Sequence, residues 1–481
     1  MTWLTLTLPS PTAIDLSRLL LATTPDAGSN ALVLAGVLLS LIVIFLASKV
    51  GGELCVRLDL PPVLGELVAG VLVGVSALHL LIFPEAGEDG THSLIMSLMQ
   101  MTSHLSPEAF TSVFQAQSEV IAILSELGVI ILLFEIGLQS DLEELLRVGP
   151  QATVVAVVGV VTPFAIGTGG LIAIFGAPVV PAIFAGAALT ATSIGITAKV
   201  LSEIQRLNSR EGQIIIGAAV MDDVLGIIVL AVVASLARDG AVEPTNVIYL
   251  IISAGVFLVG AILLGRFLSP FFVKLVDGME TRGHLLLVSL MFAFILSYVA
   301  VVIQLEAILG AFAAGLVLAE TEKRHELEKK VVPIADMFVP IFFVVVGART
   351  DISVLNPLVP ENREGLIIAS FLLAVAIIGK VVTGLSVFGM PDINRLAIGV
   401  GMIPRGEVGL VFAAVGSESG VLSKPLEAAI IVMVIFTTFL APPLLRVVFA
   451  RADQAMAVRE SEIAGLELNP GLVDWEDSKP E

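Results

Sequence analysis

From residue 31 to residue 449 the chain is a succession of apolar runs, each close to the roughly 20 residues that a helix needs to cross a bilayer's hydrocarbon core. Backbone at that depth has no water to bond, so each run must close its hydrogen bonds within itself as an α-helix. Proportion excludes a soluble domain: 57% of 481 residues are hydrophobic, 14% are charged, and mean hydropathy is +1.01. The expected fold is therefore an all-α polytopic membrane protein whose first partner is the lipid bilayer. A single Cys55 excludes an internal disulfide, and the five His have no metal-ligand spacing, so no cofactor is called for. The net charge of -19 sits largely in loops and after residue 449, with no basic patch for nucleic acid. An enzyme is disfavoured because no nucleophile–base or metal-ligand set appears, and a channel because no selectivity-filter run does.

Hydropathy with Gly, Pro and charge breaks predicts thirteen transmembrane helices. They fall near 31–50, 60–78, 119–138, 151–176, 179–203, 211–237, 246–274, 283–304, 306–320, 332–349, 363–388, 391–418 and 424–449. Residues 1–30 read as an extracytoplasmic leader and 450–481 as an acidic tail. Starting after the first span, alternate loops carry Lys49, Arg57, Arg147, Arg206, Arg210, Lys274, Arg282, Lys323, Arg324, Lys329, Lys330 and Arg395; the others carry only Arg238, Arg349, Arg363 and Lys424. Twelve basic residues against four place the N-terminus outside and the C-terminus in the cytoplasm. The membrane expected is a bacterial cytoplasmic membrane, or a thylakoid if the source is phototrophic.

Internal similarity organises the spans. Leu64 to Val71 resembles Leu309 to Leu316, Gly137 and Asp141 match Gly347 and Asp351, and Ser193-Ile194-Gly195 aligns with Glu407-Val408-Gly409. The paired spans lie seven apart, an odd number, so the two copies enter the membrane upside down relative to each other. This predicts an inverted-topology repeat, 31–237 and 283–449, with 246–274 as a linker helix. The fifth and twelfth spans carry the sequence of interrupted helices. Thr190, Thr192, Ser193, Gly195 and Thr197 compete with helical bonding in one, and Gly401, Pro404, Gly406 and Gly409 do so in the other. Non-helical backbone at this depth must line a cavity or be buried in protein, so two broken helices are expected to cross at midplane beside an ion site.

The adjacent Asp222 and Asp223 in the sixth span pose the sharpest chemical problem. One acid near the bilayer centre costs roughly 2.5 to 3.5 kcal/mol, and two neighbours also repel. A cation relieves both costs, and a proton and a small monovalent cation then compete for the same oxygens. If the protein switches faces only when the site is neutralised, export of one is coupled to import of the other. Lys380 is a further intramembrane charge, and Asp222 is its obvious partner. The repeat places Phe436 and Thr437 opposite the aspartates, so one ion site per chain is expected. Arg405 and Glu407, two apart in the second break, neutralise either each other or the exposed helix ends. Glu135 and Glu66 also sit in apolar runs; either pairs with Lys199 or Arg405, or acts as a pH-sensitive gate.

These residues resemble the bacterial monovalent cation:proton antiporter-2 family, over roughly residues 31 to 449, and within it the sodium/proton antiporter branch with paired aspartates. The resemblance rests on Asp222-Asp223, Lys380 and the interruptions at Thr190 to Thr197 and Pro404 to Glu407. It implies electrogenic Na⁺(Li⁺)/H⁺ exchange, with Asp223 as principal Na⁺ ligand alongside Thr190 and Ser193, and an Asp222–Lys380 salt bridge that ion binding breaks. It also implies a homodimer with a static dimerisation domain, 31–138 plus 283–349, and a moving core, 151–237 plus 363–449. The potassium-efflux branch usually shows a single aspartate and a cytosolic nucleotide-binding domain; here about thirty residues with eight acids and three bases follow the last expected span. K⁺/H⁺ exchange is the alternative, followed by a sodium-coupled symporter of an organic anion.

Overall fold

The computed structural model describes residues 27–84, 90–103, 106–239 and 244–467, and among them every regular element is a helix. In chain order the first half holds α1 (Ala27–Arg57), α2 (Pro62–Val73), α3 (Leu94–Ser103), α4 (Pro107–Gln139), α5 (Leu142–Arg147), α6 (Gly149–Phe175), α7 (Val179–Ala188), α8 (Ile194–Glu203) and α9 (Arg210–Asp239). The long α10 (Pro244–Asp277) follows where the linker helix is expected. The second half holds α11 (His284–Val302), α12 (Ala307–Ala319), α13 (Arg324–Ala348), α14 (Pro360–Thr383), α15 (Arg395–Gly401), α16 (Glu407–Glu418) and α17 (Lys424–Glu467). Eight of the described helices are long and apolar enough to cross a membrane, and shorter apolar helices occupy much of the remaining expected spans.

Three boundaries differ from expectation. The long loop expected between His79 and Glu119 contains α3 and the first turns of α4, where Ser106 caps the helix by accepting from the Ala109 N–H at 3.3 Å. The leader's last four residues are already helical in α1, and residues 1–26 lie outside the described residues. The tail does not begin at residue 450: α17 continues to Glu467, because its charged residues end the hydropathy signal without ending helix propensity. Residues 468–481 lie outside the described residues.

The helices fall into two groups, which also share apolar core between them. In one, α4 lies against α12 and α13, α13 against α2, and α1 against both α2 and α4. In the other, α14 lies against α17 and α6, α9 against α6, and α7 against α6 and α16. Glycines let the backbones of the first group touch. A Cβ on Gly137 would stand 2.3 Å from the Phe312 carbonyl and one on Gly315 2.3 Å from that of Phe134. Gly70 and Gly347 are related in the same reciprocal way, at 2.4 Å from Val344 O and 2.2 Å from Leu67 O. The internal similarity equates Gly137 with Gly347 and Gly315 with Gly70, so it carries one glycine pair onto the other. Asp141 and Asp351 likewise do one job twice: each caps a short helix, accepting from the Glu144 N–H at 3.0 Å and the Ser353 N–H at 2.8 Å.

Candidate functional site

Two chain breaks meet inside the second group. Helix α7 stops at Ala188 and α8 starts at Ile194; α15 stops at Gly401 and α16 starts at Glu407. Where the two helical ladders run out, the breaks bond to each other. The Ser193 N–H donates to the Pro404 carbonyl at 2.8 Å, the Thr192 hydroxyl to Met402 O at 3.2 Å, and the Thr197 hydroxyl to Gly401 O at 3.0 Å. Gly406 is small for a reason, since a Cβ there would meet Ser193 Oγ at 2.9 Å. Each break therefore leaves one helix C-terminus and one helix N-terminus facing the crossing, with partial charges of opposite sign.

Arg405 answers the carbonyls left by α7. Fully buried, it donates to Ala191 O at 2.8 Å and to Leu189 O, while its own carbonyl accepts from the Thr438 hydroxyl at 2.6 Å. These contacts neutralise the open carbonyl end of α7, one of the two roles expected of Arg405. Glu407 opens α16, and its side chain lies outside the described residues.

Asp222 and Asp223 sit mid-way along α9, at 0% and 4% exposure. Lys380 reaches across from α14, also at 0% exposure, and its ammonium donates to Asp222 Oδ2 at 3.1 Å and to Thr192 Oγ1 at 2.8 Å. Gly159 on α6 makes the room, because a Cβ there would stand 3.3 Å from Lys380 Nζ. One chain of polar contacts, Asp222 to Lys380 to Thr192 to Met402 O, thus ties α9, α14 and both breaks together. Asp223 faces elsewhere: with Thr192, Ser193 and Gly195 it lines a cavity of about 10 Å³, room for one water-sized occupant.

Several expected positions are reassigned. Thr190 is not among that cavity's lining residues; its hydroxyl donates back to Ala187 O at 2.8 Å and finishes α7. Lys199 makes its ion pair with Glu203 at 3.9 Å, and not with Glu135 or Glu66. Glu135 accepts from the Gln139 amide at 3.0 Å, and Glu66 from the Ser48 hydroxyl at 2.8 Å, so neither partner is the cation expected. Both lie in the first helix group, where a neutral donor one turn or one helix away was as close as any Lys or Arg. One residue escaped the sequence reading altogether. Glu306, immediately before α12, lines the same cavity as Asp223. Its signal was an acid at the first position of an expected span, where a charge at a helix end draws no notice.

Together these features define a polytopic helical membrane protein with a buried, ionisable crossing of two broken helices. The family described as sodium/hydrogen exchanger, transmembrane, matches residues 36–451. The chain is 70% identical over 426 residues to the high-affinity Na⁺/H⁺ antiporter NhaS3 of Synechocystis sp., covering 89% of this chain and 92% of that one. It is 32% identical over 419 residues to the Na⁺/H⁺-K⁺ antiporter GerN of Bacillus cereus, covering 86% and 96%. Its fold is similar to that of the sodium proton antiporter MjNhaP1 from Methanocaldococcus jannaschii at pH 8, with a TM-score of 0.57 at 17% identity over 88% of this chain and 97% of that one. The chain belongs to the sodium/hydrogen exchanger family.

Proposed function

We propose that the chain is a secondary active transporter that exchanges Na⁺ or Li⁺ for H⁺ across a membrane, electrogenically and by alternating access. The observation that carries the reading is the buried Asp222-Asp223 pair at the crossing, with Lys380 locked on Asp222 and Asp223 left to line the cavity. A carboxylate in low dielectric holds a proton or a cation but is costly bare, so occupancy by one excludes the other. Asp223 is the cation ligand, helped by Ser193, and Thr192 takes the polar position first assigned to Thr190. When the cation arrives, the Asp222–Lys380 contact loosens and the ammonium's proton leaves with the cycle. The Asp222–Lys380 pairing supports assignment to the paired-aspartate branch of the cation:proton antiporters.

The reciprocal contacts of Gly137 with Gly315 and of Gly70 with Gly347 support an inverted repeat of six spans in each half, joined by α10 to give thirteen. The packing of helices into two groups supports an elevator-like movement of a core, 151–237 with 363–449, against a dimerisation domain, 31–138 with 283–349. The working unit is a homodimer in a bacterial cytoplasmic or thylakoid membrane, with the N-terminus outside. A second cation is favoured by one finding: the relative from Bacillus cereus is named for Na⁺ and K⁺ together, which makes K⁺ the second substrate to try.

Purified protein in liposomes with an internal pH dye is the test. Na⁺ or Li⁺ should drive proton movement in wild type and not in Asp223→Asn. A response to K⁺ alone reassigns the cation, and no cation-driven proton flux rejects exchange.

A further inference from the structure

The cavity beside Asp223 has walls from both helix groups. The crossing supplies Thr192, Ser193 and Asp223; the opposite wall is Val129 of α4, Ile308 of α12, Phe342 of α13 and Glu306. That opposite wall is apolar except for one half-buried carboxylate. Glu306 is the last residue of the connection between α11 and α12. Its backbone is extended, with φ -72° and ψ 141°, and α12 starts one residue later.

A monovalent cation that leaves water needs oxygen ligands at every stage of entry, and a wall of Val, Ile and Phe offers none. Ser193 and Asp223 travel with the crossing if the core moves; Glu306 stays with the opposite wall. Resting on the exchange reading, we propose that Glu306 is the receiving carboxylate of this face: it shares an entering Na⁺ or Li⁺ with Asp223 and sets the transporter's affinity for the cation on that face alone. In low dielectric a second carboxylate on the same small cavity adds attraction for the cation, and sliding the core away removes it from the cation's reach. The transporter then binds its cation more tightly on the face bearing the α11–α12 connection, which the count of basic loops makes the outer one, and releases it more readily on the other.

Sided transport assays test this. Membrane vesicles of both polarities are given Na⁺ or Li⁺ from one face at a time, and proton movement is followed as cation concentration is raised. Glu306→Gln should raise KM about tenfold for cation offered from the α11–α12 face, while KM from the opposite face and the maximal rate stay within about twofold of wild type. Glu306→Asp keeps the charge and should recover most of the affinity on that face. Equal shifts on both faces, or none with Glu306→Gln, overturn the proposal. Should Glu306→Gln not fold, Glu306→Asp is read alone: a smaller KM rise confined to one face supports the proposal, and any other pattern sinks it. Loss of cation-driven proton flux in wild type would instead sink the exchange reading, so the two failures are distinct.

Discussion

The buried Lys380 ammonium donates to Thr192 and to Asp222, and the two contacts do different jobs. Thr192→Val keeps the shape and deletes the hydroxyl that accepts from the ammonium at 2.8 Å. It leaves a buried charge under-satisfied and should lower stability by about 1–3 kcal/mol, read as a fall in melting temperature in detergent. Lys380→Gln acts on the cycle instead. Without an ammonium to release its proton, each turnover moves one charge fewer, so a still-active variant should exchange at a rate insensitive to membrane potential. An active Lys380→Gln that keeps its voltage dependence removes this lysine from the coupling step. The pairing itself was legible in the sequence, since Asp222 and Lys380 are both charges that hydrocarbon penalises and each needs the other. Which hydroxyl of residues 190–197 would turn inward was not. Thr190 and Thr192 are both threonines in one break, and only the backbone path sends one to Ala187 O and the other to Lys380. Arg405 was ambiguous for a similar reason, because free carbonyls of a broken helix leave no trace in side-chain identity.

At the scale of elements, the glycines of the first helix group set the spacing. Gly315 faces the Phe134 carbonyl so closely that a Cβ would stand 2.3 Å from it, and backbone cannot rotate out of the way. Gly315→Ala should therefore separate α12 from α4 and cost about 1–3 kcal/mol, visible as earlier loss of a monodisperse peak on heating before gel filtration. A full-stability variant would mean that α4 and α12 can slide apart without strain. Long apolar helices were legible because twenty apolar residues leave little choice. α3 was not: its 10 residues lie in a stretch too short and too polar at its edges to span, though Ile95, Met96 and Met99 pack inward. The far end of α17 was lost because hydropathy records burial in lipid, and a helix that leaves the membrane keeps its backbone bonds while its side chains turn charged.

For the whole molecule, the question is whether one helix group moves against the other as a body. Two polar contacts join them at the basic-loop face. Arg446 of α17 meets Asp59 of the α1–α2 connection at 3.4 Å, with side chains 36% and 93% exposed, and Glu203 Oε2 of α8 accepts from the Val63 N–H of α2 at 3.4 Å. An exposed ion pair of this kind contributes at most about 1 kcal/mol, small enough to break and re-form in every cycle. A covalent bond in the same place is not. In a Cys55→Ser background, Asp59→Cys with Arg446→Cys should transport normally when reduced. A short thiol-cleavable bifunctional reagent across the pair should stop exchange, and cleaving the reagent should restore it, while the single-cysteine proteins treated the same way keep their rate. Arrest demands that α17 and the α1–α2 connection part company during transport, as a sliding core requires. Full-rate exchange by the cross-linked protein would mean that the site reaches both faces without movement between the groups. The affinity difference assigned to Glu306 would then have no displacement to produce it.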